Sequence, residues 1–192
     1  MSFYATLLHR RFVRFVAIAF ATQFIAWSAA VAADPEPQHL SGADGVLQLD
    51  VPASWQPKQP AVNLIEHEFV VPPAEGDTAS GRVTTMQAGG SIQANVDRWK
   101  GQFKLAGDQA AKTDTLEVNE LKIHRVDLRG TFLDRPRPFG PGTPRENYRM
   151  LGAVVETKAN GLYFIKFYGP AKTVDQEEKH FDEMLHSIKT KQ

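Results

Sequence analysis

The chain has 192 residues with 22 basic and 22 acidic side chains and no cysteine. Without cysteine there is no disulfide, no lipid attached at a lipobox and no thiolate to act as nucleophile or metal ligand. Residues 1–33 hold three arginines and no acid, so the remainder carries 19 basic against 22 acidic residues, a net charge of −3. That balance excludes the basic excess of a nucleic-acid binder.

Residues 1–33 read as an export signal. Arg10, Arg11 and Arg14 precede the apolar run "FVAIAFATQFIAW", and small residues then offer two cleavage sites, Val31 with Ala33 or Ala30 with Ala32. Cleavage near Ala33 would release the rest into the periplasm or the extracellular medium. The other reading is an uncleaved anchor, since the run approaches the roughly 20 residues that span a bilayer. Residues 34–44, beginning "DPEPQHLSGA", read as a flexible lead-in, and residues 45–190 suit a single domain with one core.

Within that domain the hydrophobic period alternates between two and 3.6. "GVLQLDVP" places Leu47, Leu49 and Val51 on one strand face; "VNLIEHEFVVP" and "GRVTTMQ" continue as strands. From Ser91, the residues Ile92, Val96, Trp99 and Phe103 form one helical stripe. "TLEVNE" and "LKIHRVDLRGTFL" are strand-like. "YRMLGAVVET" and "GLYFIKFYG" pair as a hairpin across Asn160-Gly161. A helix over 174–189 closes the chain, with Phe181, Met184, Leu185 and Ile188 as its stripe. The expected class is α+β, a mainly antiparallel sheet flanked by two helices.

The turn "YGPAKT" ahead of the last helix looks at first like a phosphate loop. A P-loop needs G-x-x-x-x-G-K-[ST], and here Ala171 precedes Lys172, Lys166 stands at the first glycine, and Pro170 removes an amide. Thr173 is expected instead as the N-cap of that helix, with Gln176 completing a capping box. Neither nucleotide nor any other cofactor is expected.

"VPASW", "RWKGQF" and the ending "YFIKFYGP…FDEMLHSIK" together resemble the PsbP-like fold, over roughly residues 45–189. That family includes the extrinsic lumenal protein of the photosystem II oxygen-evolving complex, a Ran-binding release factor and many exported bacterial proteins. The resemblance implies an α/β/α sandwich and a non-catalytic binding or accessory module. It transfers no functional residue to this chain.

Two residue sets remain as candidates. His67 in "EHE" and His124 share strand faces with apolar residues, and would approach each other only if their strands were neighbours; an envelope enzyme or metal-dependent protein would use that pair. His180 and His186, six apart on the last helix, cannot ligate together. The stretch "DRPRPFGPGTPREN", residues 134–147, holds four prolines and two glycines, with Phe139 among Arg135, Arg137 and Arg145. It reads as an irregular loop of interface-favouring residue types. The leading expectation is therefore an exported, non-enzymatic domain that contacts a protein or envelope component through this loop.

Overall fold

A computed structural model of the chain describes residues 35–107, 110–135, 141–157 and 161–191. The expected signal segment, with its cleavage sites, lies outside them. Among the described residues no helix is long and apolar enough to cross a membrane.

The elements run β1 (Gln38–Gly42), β2 (Leu47–Val51), β3 (Gln56–Lys58), β4 (His67–Val71), β5 (Gly81–Ala88), α1 (Ile92–Lys100), β6 (Phe103–Leu105), β7 (Ala111–Val118) and β8 (Leu121–Asp134). They continue with β9 (Thr143–Thr157), β10 (Gly161–Pro170), α2 (Ala171–Gln176), α3 (Glu178–Ser187) and β11 (Lys189–Thr190). The main sheet has the order β3-β4-β5-β10-β9-β8-β6, with β7 also pairing β8, and a small sheet is ordered β1-β2-β11. All of these pairs are antiparallel. One edge of the main sheet is the three-residue β3, centred on Pro57; on the other edge β6 and β7 share the outer side of β8.

The period-2 patterning of β10 divides the interior into two cores. Tyr163, Ile165 and Phe167 point to a core shared with Leu47, Leu49 and Val51 of β2 and with Phe181, Leu185 and Ile188 at the C-terminal end. Phe164 points the other way, into a smaller core with Val96 and Trp99 of α1, Met150, Val154 and Phe132. The expected α+β class with helices on a mainly antiparallel sheet holds, and α1 stands on the opposite face from α2, α3 and the small sheet.

Several details depart from the sequence expectations. Residues 38–42, assigned to the lead-in, form β1 and hydrogen-bond to β2; Ala43, next to it, is buried. The second strand begins only at His67, which leaves Val62 and Leu64 exposed ahead of it. Phe103 belongs to the same core as α1, but from strand β6, because α1 ends at Gly101.

The last helix starts earlier than expected and is broken. Pro170 leads into α2, whose fixed φ suits a helix entry, and Asp77 Oδ2 accepts from Thr173 N at 3.0 Å. Thr173 is thus inside α2 and fully buried rather than at the N-cap. Its hydroxyl donates to Asp77 at 2.6 Å and accepts from Ala74 N at 3.0 Å, while Lys172 Nζ donates to Glu75 O. The Lys-Thr pair ties down the 74–77 loop. Glu177 separates α2 from α3, and Lys189–Thr190 leave the helix to pair with β2.

The 134–147 stretch is less irregular than its prolines imply. β8 and β9 extend into it as far as the pair Asp134 with Thr143, and Pro144 lies opposite Leu133. Pro144 is tolerated because β9 has a neighbour on one side only at this level, β10 having ended opposite Tyr148.

Candidate functional site

The α1 side of the main sheet is only half covered. Gly152 of β9 lets the Trp99 indole lie directly on the strand, and Trp99 meets Phe164 edge-on at 5.9 Å between ring centroids. This seats α1 over β9 and β10 and leaves β4 and β5 open on that face. The uncovered part is a cleft of about 480 Å3. Its floor comes from Arg82, Thr84 and Met86 of β5 and Phe164, Lys166 and Tyr168 of β10, side by side through the register Phe164 with Met86, Lys166 with Thr84 and Tyr168 with Arg82. Arg98, Trp99 and Gln102 form the wall on the α1 side, and Leu64, 66% exposed, stands with Ile65 at the opposite rim.

Lys166 is the unusual residue here. Strand alternation places it between Phe164 and Tyr168 on an otherwise apolar face. Its Nζ donates to Gln102 Oε1 at 2.5 Å and lies 4.6 Å from the Tyr168 ring centroid and 5.3 Å from that of Phe132. Burial pulls its ammonium down to about 7, the charges of Arg82 and Arg98 act the same way, and Asp134 opposes them.

The other charges of the cleft divide into satisfied and unsatisfied. Glu68, buried on β4, accepts from Arg82 Nη2 at 2.7 Å and pairs with Lys58 at 2.9 Å. The hydrogen bond from Arg82 holds its carboxyl below the usual carboxylate range. Arg82 also donates to the Tyr168 hydroxyl at 2.8 Å, so both of its terminal nitrogens are engaged. Arg98 donates to Asn95 Oδ1, a neutral acceptor on its own helix. Among the described residues neither Arg98 nor Lys166 has a carboxylate in ion-pair contact.

No family model matches the chain, and no curated protein matches it. Among solved structures it is similar to the solution structure of cyanobacterial PsbP (CyanoP) from Synechocystis sp. PCC 6803, with a TM-score of 0.51 and 12% sequence identity, covering 87% of this chain and 99% of that one. The fold is PsbP-like.

On this PsbP-like domain the two described arginines of the expected interaction loop are Arg135 and Arg145. Arg135 lines a second hollow that adjoins it at Arg98, Gln102 and Lys166, and Arg145 pairs with Asp134 at 3.3 Å. Arg137 and Phe139 fall outside the described residues.

The histidine pair is not assembled. β4 and β8 are separated by β5, β10 and β9, about 19 Å at sheet spacing. The two side chains also point to opposite faces, since His67 accompanies Phe69 and Val71 while His124 accompanies Val126 and Leu128. His67 Nε2 contacts Ser41 O at 2.9 Å, and His124 Nε2 contacts Glu156 at 2.6 Å. Glu66, ahead of β4, turns to Ala43 N and not to Glu68's partners. On α3, His180 contacts Glu177 and His186 contacts Asp182 O, each a local bond.

Sequence reasoning passed over Lys166 although its signal was present. In "GLYFIKFYG" the outward set reads Leu, Phe, Lys, Tyr, and a lysine in the middle of an aromatic strand face is the kind of buried charge that marks function.

Proposed function

We propose that the chain acts after export, in the periplasm or outside the cell, as a non-enzymatic binding or accessory domain, and that it binds in the cleft between α1 and β5. One observation carries this reading: α1 leaves the β4–β5 half of its sheet face open, and that opening holds two cations that have no carboxylate partner among the described residues, across from the exposed Leu64. A cleft of this size with few polar groups on apolar walls has the make-up of a ligand site. Arg135, which lines the adjoining hollow, and Arg145, paired with Asp134 of that hollow, would extend the contact surface. The PsbP-like fold is compatible with such a role.

A photo-crosslinking residue placed at Leu64 in intact cells tests the location. An adduct is expected from position 64 and none from position 112, on the β7 edge. Equal labelling at both positions, or none at 64, would remove the cleft as the binding surface.

A further inference from the structure

We propose that this cleft takes a small apolar molecule ending in a carboxylate, the acid group held by Lys166 and Arg98 and the apolar body lying over Met86, Phe164 and Leu64. The proposal rests on the cleft reading above and adds the chemistry of the ligand.

Three observations point to that chemistry. The first is charge complementarity. Of the three cations lining the cleft, Arg82 is committed to Glu68 and Tyr168, whereas among the described residues Lys166 and Arg98 meet neutral partners, the oxygens of Gln102 and Asn95 and, for Lys166, the rings of Tyr168 and Phe132. A desolvated ammonium without a counter-charge is costly, and a bound anion offsets that cost directly. The second is the division of the walls. Arg98 stands in the α1 wall and Lys166 reaches from the floor to Gln102 just after that helix, whereas away from them the cleft runs out over Met86 to Ile65 and the exposed Leu64, a polar part and an apolar part within one cavity. The third is size: about 480 Å3 lies within the range of about 300–1,000 Å3 of small-molecule sites.

Lys166 also makes the binding depend on pH. The groups facing it are Arg82 from β5, Glu68 from β4, Arg98 from α1, Asp134 at the end of β8, Arg135 just beyond it, Tyr148 from β9 and Tyr168 from its own strand. Glu68 and Asp134 are occupied by Arg82 with Lys58 and by Arg145. An ammonium near neutrality at about 7 is charged at pH 6 and mostly neutral at pH 9, so carboxylate affinity falls across that interval. It does not vanish, because Arg98 stays charged.

The test uses cis-parinaric acid and its methyl ester, which share the apolar chain and differ in the acid group, titrated by fluorescence into the full chain. At pH 6.5 the acid is expected to bind at least about tenfold more tightly than the ester, the order of one charge-assisted hydrogen bond. Lys166→Met keeps the apolar stem and should weaken the acid about tenfold while leaving the ester unchanged. Arg98→Gln should do the same more weakly. Acid and ester binding alike, or an acid affinity untouched by Lys166→Met, would overturn the proposal. If Lys166→Met fails to fold by circular dichroism, the unaltered protein decides: an acid affinity that is flat from pH 6 to pH 9 overturns it as well. A peptide or protein captured at Leu64 together with no binding of parinaric acid would leave the cleft in place and remove the carboxylate ligand.

Discussion

Trp99 and Gly152 are in direct contact: a Cβ on residue 152 would lie 2.6 Å from Cζ3 of the Trp99 ring. Gly152→Ala must therefore push α1 away from the sheet, an overpacking that costs about 1–3 kcal/mol. The measurement is chemical denaturation. Because α1 is the cleft's wall, the same variant should also loosen binding of parinaric acid, and a stability unchanged from the parent would show that α1 is not seated on Gly152.

Arg149 has only 3% of its side chain exposed and bonds Asp127 and Glu178 through pairs at 2.7–2.9 Å, and Asp175 at 2.8 Å. Arg149→Met leaves three partly exposed carboxylates facing one another, Asp175 still held by Arg129, and should cost about 1–3 kcal/mol by chemical denaturation.

That network also sets the acid limb of stability. The hydrogen bond from Arg149 holds Glu178 below its ordinary value; for Asp175, burial acts upward but is outweighed by Arg129 and Arg149. Carboxyls lowered in the fold stabilise it above their unfolded values of 4.5 and 3.8 and lose that contribution as pH falls through the folded values. Melting curves from pH 6 to pH 2 should fall steeply below about 4 in the parent. In Arg149→Met they should start lower and run flatter.

Lys166 acts in the opposite direction. Burial lowers it to about 7, so between that value and its unfolded one near 10.4 the folded chain binds fewer protons, and stability rises with pH. Going from pH 6 to pH 9 should add about 2–3 kcal/mol. The rise should be absent in Lys166→Met, which should be the more stable protein at pH 6. The scan ends at pH 9 because Tyr163 and Tyr148, both raised by burial, oppose unfolding less once the unfolded tyrosines ionise.

Trp55, fully buried, donates its Nε1 to Glu177 Oε2 at 2.8 Å, and Glu177 is the residue at which the C-terminal helix breaks. Glu177→Leu leaves the indole N–H without an acceptor and should cost about 1–3 kcal/mol, whereas Glu177→Gln retains an oxygen and should cost little. Equal losses in the two variants would mean that the indole bond contributes nothing.

Local pattern made much of this legible. The alternation in "GLYFIKFYG" and "GVLQLDVP" carries β10 and β2, and the stripe through Val96 and Trp99 carries α1. What was not legible depends on partners far apart in the chain. The break at Glu177 is matched to an indole 122 positions away. The separation of His67 from His124 follows from a strand order in which β5 reaches forward to β10. The cleft follows from Gly152, which reads in the sequence as an ordinary small residue in a strand and becomes informative only when Trp99 is found resting on it.

The two margins of the main sheet bear on how the domain can be approached. At one, Pro57 withholds an amide from the centre of a three-residue strand; at the other, β7 presents Lys112, Asp114 and Glu117 to solvent. Neither is a good template for strand addition, so a second chain gains little by extending the sheet. Self-association by extending the main sheet is disfavoured on both sides, so its broad faces are the better surfaces for any contact.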